Sequence, residues 1–425
     1  LKRKLIDDLV TWKDSNHNIP VLLCGARGVG KSYIAMDFGK SFYTDYIYIN
    51  FEQEPYKTAL FHHEDNSTII GELTKHYPVM DTMDSVLLIL DEISYGYGIL
   101  QEIIRLSTVK TLHIIMISSY EEDRINPLEI KRMNLYPLDF EEFLGAIGKE
   151  WYIEVIKTHY NLNKKVPDIV HKELLTIFQD YLLIGGMPSA VNEFISLENQ
   201  FNVKEQHKLL LNSYLEDIPE NYDSLKIRQI ITSLDKQVVK DNQKFQFTLL
   251  RKGATLGIYS DALMFIQKSY YGIICKKAGE EDIETTENIL NLPDGHSRFK
   301  LYLQDTGMLN TLIHKNLYGD IKLNLTKEKI IRGLYTNYVA QCLTANGYQL
   351  FFWESNSQAK IDFIIKKNNC YVPIEVKISE NTRSKNVSVF RTKYFHINES
   401  IKISTKNFDY TNDTKYVPVY AAFCI

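Results

Sequence analysis

The sequence predicts an α/β fold whose N-terminal part is a parallel β-sheet, followed by helical and further α/β segments. Three observations carry this reading. Val21-Leu22-Leu23-Cys24 runs straight into Gly25-Ala26-Arg27-Gly28-Val29-Gly30-Lys31-Ser32 and then into a helical pattern. Val86 to Leu90 is uninterruptedly apolar and ends in Asp91-Glu92, and Leu112 to Ile117 is apolar and ends in Ser118-Ser119. Strands without polar alternation are buried on both faces, as in parallel sheets covered by helices, and such sheets place ligands at the C-terminal ends of their strands.

Taken in order, Leu1 to Trp12 carries apolar residues at Leu5, Ile6, Leu9 and Val10, the spacing of an amphipathic helix. The first strand follows, then the glycine-rich loop and a helix from about Lys31 to Phe42. Asp45 to Phe51 (DYIYINF) reads as the second strand. Glu52 to Ile70 is polar and irregular, with a short helical stretch near Lys57 to His62. The two apolar strands ending at Asp91 and Ser118 complete the N-terminal part.

The loop fits G-x-x-x-x-G-K-[ST] between a strand and a helix, the context in which this pattern cradles phosphates. Gly25, Ala26, Arg27, Gly28, Val29, Gly30, Lys31, Ser32 and Tyr33 are the expected nucleotide-binding residues. Lys31 neutralises β/γ oxygens, and Ser32 supplies an oxygen to Mg²⁺. Asp91 is placed to complete the Mg²⁺ shell, and Glu92 to orient or deprotonate the attacking water. Ser119, at the end of the next strand, is a third catalytic candidate, with a strand-terminal turn as its plain alternative. ATP and Mg²⁺ are the expected cofactors, and ATP hydrolysis the expected reaction.

A length of 425 residues predicts two or three domains. Hydrophobic content of 44% and charged content of 24% are those of a globular protein. No apolar run reaches the roughly 18 to 20 residues of a membrane span, and the N-terminus lacks a signal-peptide core, so a cytoplasmic protein with no membrane partner is expected. Five scattered cysteines without a C-x-x-C pair exclude a disulfide framework and a zinc site. The formal charge of −4 is unevenly spread: from Ile321 onward 15 Lys and Arg face 8 Asp and Glu, a net of +7 that leaves −11 for the rest. A basic C-terminal part suits a polyanionic partner, and equally a lysine-rich solvated surface.

Several further segments occur in a characteristic order: YINFE (48 to 52), LILDEI (88 to 93), YPLDFEEFL (136 to 144), YLLIGGMP (181 to 188), KLYLQDTGML (300 to 309) and FWESNSQAKIDFIIKK…VPIEVK (352 to 377). Together with the glycine loop they resemble a bacterial and archaeal family of AAA-type P-loop ATPases with a restriction-endonuclease-like C-terminal domain. The resemblance implies an AAA+-like core at 1–148, a helical lid at 149–205, a winged-helix domain at 206–320 and a PD-(D/E)XK nuclease-like domain at 321–425. It implies that Ser119 acts as sensor 1, and that Pro188, in Gly185-Gly186-Met187-Pro188, contacts the adenine unless this turn is simply a helix C-cap. Arg124 and Arg132 lie where such proteins keep an arginine that meets a γ-phosphate.

In the winged-helix segment, apolar periodicity runs through Ile227 to Val239, 245 to 257 and 258 to 270, with strands at Gly272 to Lys276 and Phe299 to Asp305. Between Gln243 and Lys277, Lys244, Arg251, Lys252, Lys268, Lys276 and Lys277 face one acid, Asp261, a balance suited to duplex phosphates, and equally found in winged helices that serve as protein contacts. The acidic stretch at 280–284 is expected to be an exposed loop. In the last segment a helix from Lys329 to Ala345 precedes strands at Gln349 to Trp353, Ile361 to Ile365 and Val372 to Lys377. Asp362, Glu375 and Lys377 match the D…E-x-K arrangement, in which carboxylates hold metal and the lysine activates water. Thr336 and Lys360 stand where the family carries acids, which weakens metal binding. The expected partners are ATP and either double-stranded DNA or a protein, with self-association open. A nucleotide-gated protein-binding switch with a non-cleaving nuclease-like domain is the alternative function.

Overall fold

In the computed structural model the described residues are 1–15, 19–78, 85–121, 126, 128–197, 200–279, 298–313, 327–355, 359–368, 370–394 and 397–425. They form two compact units: Leu1–Tyr136 with Lys268–Tyr270, and Pro137–Gln267 with Tyr271–Ile425. No helix among the described residues is long and apolar enough to cross a membrane.

The first unit is built on five strands: β1 (Val21–Cys24), β2 (Tyr46–Asn50), β3 (Val86–Asp91), β4 (Leu112–Ser118) and β5 (Lys131–Asn134). Their order is β2-β3-β4-β1-β5, with every neighbouring pair parallel. Side chains alternate across a strand, so Leu22, Cys24, Ile47, Ile49, Leu88, Leu90, Ile114 and Met116 share one face. They pack with Phe61, Ile69, Leu73, Ile103 and Leu106 in one buried cluster. His113 points the other way and meets Trp12 at 5.5 Å between ring centroids; Trp12 in turn lies 6.4 Å from Phe38. Helices Leu5–Lys13 and Lys31–Phe42 therefore cover the second face. Because β4 lies between β1 and β3, pairing Cys24 with Ser118 and Leu90 with Met116, the ends of all three strands open side by side.

The second unit has an eight-stranded mixed sheet. Its strands are β6 (Gly272–Lys277), β7 (Phe299–Leu303), β8 (Phe351–Glu354), β9 (Lys360–Lys367), β10 (Cys370–Val376), β11 (Ser400–Ser404), β12 (Asp409–Thr411) and β13 (Thr414–Pro418), in the order β12-β13-β11-β10-β9-β8-β6-β7. The hairpin β6–β7 joins this sheet through parallel pairing of Lys276 with Phe351 and Lys277 with Phe352. Strands expected in the winged-helix and nuclease-like segments thus share one sheet. Helix Glu328–Ala345 is buried almost throughout, and Asn337 caps the end of β7 by exchanging two hydrogen bonds with the Leu303 backbone, 2.8 and 3.0 Å long.

The chain passes from the first unit to the second at Pro137. The cause is an aromatic cluster in which Phe140 and Phe143 pack edge-on against Tyr181, Phe140 also meets Phe178, and Phe178 meets Tyr335 and Tyr338. Residues 245–257 are not helical through their length. They hold a 3₁₀ turn at Phe247–Leu249 before helix Leu256–Lys268 begins, because the Phe245 amide bonds Phe299 O at 2.8 Å and Gly253 takes φ 77°. The acidic stretch 280–284 lies outside the described residues. All five cysteines are free thiols, and Cys370 is exposed rather than packed.

The turn Gly185-Gly186-Met187-Pro188 is held from below by Asp305. This buried carboxylate accepts hydrogen bonds from the Gly186 amide at 2.6 Å and the Met308 amide at 2.9 Å. A Cβ on Gly186 would lie 1.9 Å from Leu138 O, so no other residue fits there. Burial pushes the Asp305 carboxyl up to about 6 against the pull of the amides.

Removing a ring from the aromatic cluster leaves a cavity that rigid neighbours cannot fill. Phe178→Ala should cost about 3–5 kcal/mol, lowering the unfolding transition of the second unit in calorimetry; an unchanged melting profile would show that the rings do not hold it together.

Candidate functional site

The glycine loop links β1 to helix Lys31–Phe42. Gly30 is the helix N-cap at φ 96°, a left-handed conformation open to glycine without steric cost, and no side chain caps this end. The first N–H groups of a helix have no acceptor within it, and here they coincide with the positive end of the helix dipole. That combination is what a phosphate requires. Gly25 is fixed by close approach, since a Cβ would fall 2.2 Å from Leu135 O. Arg3 braces the loop from outside, donating from Nη1 to Val29 O at 2.8 Å and from Nη2 to Tyr136 O at 2.6 Å.

Lys31 is 5% exposed. Its ammonium donates to Gly25 O and Ala26 O, both at 2.9 Å, and to Ser119 Oγ at 3.0 Å. Ser119 passes the interaction on, donating to Glu92 Oε1 at 2.7 Å. Burial pulls Lys31 down to about 8, partly offset by Glu92 and Asp91, and burial raises Glu92 above the usual carboxylate range, opposed by Lys31. Glu92 sits at φ 49°, an uncommon backbone for a non-glycine residue, with its amide on Asp91 Oδ1 at 2.9 Å. Asp91 Oδ2 accepts from Ser32 Oγ at 2.6 Å and from Tyr48 OH at 2.5 Å. The structure thus brings Lys31, Ser32, Asp91, Glu92 and Ser119 into one connected set.

The donor set suits Mg²⁺, which takes one or two carboxylates, keeps waters and shares substrate phosphates. Ser32 and Asp91 are oxygen donors in contact with each other, beside an ammonium that phosphates would neutralise. Next to the loop, a cavity of about 210 Å³ is lined by Leu1, Arg3, Ile6, Tyr33, Ile34 and Phe42 among others, and Tyr33 is 58% exposed.

Pro188 begins helix Pro188–Leu197 in the second unit. Arg132 is held by Glu121 Oε1 at 2.8 Å, Asn134 Oδ1 at 3.2 Å and the Tyr270 hydroxyl, with its guanidinium 5.9 Å from the Tyr270 ring centroid, a set of contacts that makes it a structural residue. Arg124 lies outside the described residues.

In the second unit, Asp362 and Glu375 are each occupied by protein groups. Asp362 pairs with Arg332 Nη2 at 2.9 Å and accepts the Val376 amide at 2.9 Å; Arg332 and Lys300 hold it below the usual carboxylate range although burial opposes them. Glu375 accepts from Ser384 at 2.6 Å and Asn386 at 2.7 Å, and pairs with Lys377 at 2.9 Å. Thr336 accepts from Gln243 at 2.8 Å. Among the described residues, no group of three or more His, Cys, Asp or Glu is arranged to hold a metal.

Sequence reasoning missed Arg3 and Tyr48. Neither carries a motif, although Tyr48 opens the YINFE segment and its place on β2, whose Asn50 pairs with Asp91, brings its hydroxyl to that carboxylate.

A parallel sheet with a glycine loop after its first strand and an acidic pair at the end of a strand two places away defines a P-loop nucleotide-binding domain of the α/β class. Residues 17–144 match a family described as an AAA domain, so the first unit carries an AAA-type ATPase-like domain. Residues 175–319 and 333–422 match two families described as domains of unknown function, DUF8612 and DUF4143. Comparison with curated proteins gives no match. Among solved structures, Caenorhabditis elegans PCH-2 is similar at 16% identity and a TM-score of 0.29, over 46% of this chain and 60% of that one. The Drosophila ORC bound to DNA gives 11% and 0.26, over 75% and 92%. A Pyrococcus horikoshii Signal Transduction ATPase with Numerous Domains carrying a tetratricopeptide repeat sensor gives 14% and 0.25, over 81% of this chain and 45% of its own.

The lowered Lys31 value has a measurable sign. Above about pH 8 the free ammonium increasingly loses its proton, whereas bound phosphates favour the charged form, so nucleotide binding at pH 9 takes up a proton and weakens as pH rises. Calorimetry in two buffers of different ionisation enthalpy should detect that uptake; equal heats in both would contradict it.

Proposed function

We propose that this chain is a Mg-ATP-dependent ATPase of the cytoplasm whose second unit couples turnover to double-stranded DNA without cutting it. The observation that carries the reading is the chain of contacts from Lys31 through Ser119 to Glu92, with Asp91 and Ser32 paired beside it. Gly25 to Tyr33 bind the triphosphate. Ser32 and Asp91 would hold a magnesium ion, which would neutralise phosphate charge. Lys31 moves its ammonium from the loop carbonyls to the β/γ oxygens. Glu92, made more basic by burial, orients the attacking water and receives its proton. Ser119 holds the Glu92 carboxylate and reports the arrival of the γ-phosphate. The apolar cavity beside Tyr33 accepts the base, with Pro188 as the other base contact proposed from the sequence.

The lid (149–205), winged-helix (206–320) and nuclease-like (321–425) segments act as an output unit, a reading supported by the one compact unit that holds all three and by the sheet that joins the last two. The ion pairs that occupy Asp362 and Glu375 favour a nuclease-like fold that does not cleave. The same observation keeps a second reading in play, in which ATP licenses contact with a protein partner or a second copy.

Lys31→Ala should abolish ATP binding in calorimetry while leaving unfolding without nucleotide close to wild type; retained affinity would refute the assignment. Glu92→Gln should still bind ATP but hydrolyse it on the order of 10²-fold or more slowly, and wild-type turnover would mean that another group directs the water. Duplex DNA should stimulate steady-state hydrolysis severalfold, with the stimulation lost as salt rises. No response favours the protein-binding reading.

A further inference from the structure

In the second unit, eight cations gather around three carboxylates along β6 to β9, residues 240–244 and the start of helix Glu328–Ala345, five of them in ion pairs and three donating to backbone carbonyls. Glu354 is met by Lys244 Nζ at 2.9 Å, Arg298 Nη1 at 3.0 Å and Lys277 Nζ at 3.6 Å. Lys360 lies opposite Glu354 in the β8–β9 register and donates to Asp241 O at 3.0 Å. Asp241 also pairs with Lys329 at 3.1 Å. Asp362 pairs with Arg332, and buried Lys300 donates to Asp362 O at 3.3 Å. Lys240 closes the group, donating to the Lys244 carbonyl at 2.5 Å. The excess of five positive charges sits on a chain whose net charge is −4, so it is concentrated locally.

The cations also act on one another. After burial, Lys244 is the cause that lowers Lys240, and Arg332 the first charge that lowers Lys360. Arg332 Nε is buried and has no hydrogen-bond partner. Where metal-dependent cleavage would need converging carboxylates, this site presents ammonium and guanidinium groups, a composition that repels a divalent cation and attracts phosphate. A protein partner would instead need an apolar anchor at the centre of the contact. Among the described residues, none of the exposed large hydrophobic side chains belongs to this patch, and Phe352 and Phe363 are buried beneath Lys300.

We propose that this patch holds the phosphodiester backbone of duplex DNA by charge alone, without a metal and without cleavage. The inference rests on the DNA reading above and assigns it a surface. Arg298 and Lys329 form its rim, with side chains 62% and 64% exposed, so their reversal leaves the core untouched.

The test is fluorescence anisotropy of a short labelled DNA duplex with the full chain in EDTA. Wild-type protein should bind and leave the duplex intact when Mg²⁺ is restored. Arg298→Glu with Lys329→Glu should weaken binding at least about tenfold and reduce the slope of log K against log salt by about two, with an unchanged melting profile. Arg251→Glu with Lys252→Glu, on the loop before helix Leu256–Lys268, is the competing surface. If that pair abolishes binding while the rim pair does not, DNA coupling stands and the patch is wrong. If wild type binds no duplex at low salt, the DNA reading fails together with the patch. Binding that needs Mg²⁺, or a nicked duplex, overturns the metal-free assignment.

Discussion

A buried ammonium organises the first unit. Taking a charge such as that of Lys31 out of water is unfavourable unless all its donors are satisfied, and the carbonyls of Gly25 and Ala26 with the Ser119 hydroxyl do so. The first two acceptors require the loop to fold back over its own lysine, which in turn needs a left-handed Gly30 and a side-chain-free Gly25. The third requires β4 to lie between β1 and β3. Sheet order, loop conformation and the position of Ser119 are thus parts of one constraint, which leaves the lysine lowered to about 8 by burial and enclosed by acceptors.

The second unit answers the opposite problem. Its buried carboxylates, Asp362 and Glu375, are stabilised by cations and by hydroxyl, amide and backbone donors, so their charge is already spent inside the protein. Breaking such a pair leaves an uncompensated buried charge, an expensive state. A metal would have to compete with Arg332 for Asp362 and with Lys377 for Glu375. The geometry therefore opposes the chemistry that the D…E-x-K pattern suggests, although the residues of the pattern are all present.

What was legible in the sequence follows from range. Strands β1, β3 and β4 could be read because burial on both faces writes an unbroken apolar run, and the residues at their ends are fixed within one or two positions of those runs. Strand β5, Lys131–Asn134, could not: it is a polar edge strand with only Met133 buried. Tyr48 and Arg3 reach their partners through parallel pairing and a contact spanning 26 residues, which no local pattern encodes. Strands β6 and β7 were recognisable as strands, but the pairing of β6 with β8 is a tertiary event decided by two residues. The stretch 245–257 misled because its apolar spacing imitates a helix while its backbone is claimed by Phe299.

Asp91 is the acidic side chain on which the hydrogen bonds at the end of β3 converge. Oδ2 already accepts two protons, from Ser32 and Tyr48, and Oδ1 accepts the Glu92 amide. Ser32 Oγ and Asp91 Oδ2 are 2.6 Å apart, so the hydroxyl and the carboxylate that would hold a magnesium ion are already in contact, an oxygen pair of the kind that ion takes. Tyr48, whose hydroxyl is pushed up to about 12 by burial and by Asp91, keeps its proton throughout and goes on fixing the carboxylate plane. Ser32 donates to Asp91 and Ser119 links Lys31 to Glu92, so two hydroxyls tie both acidic side chains at the end of β3 to the glycine loop and its lysine.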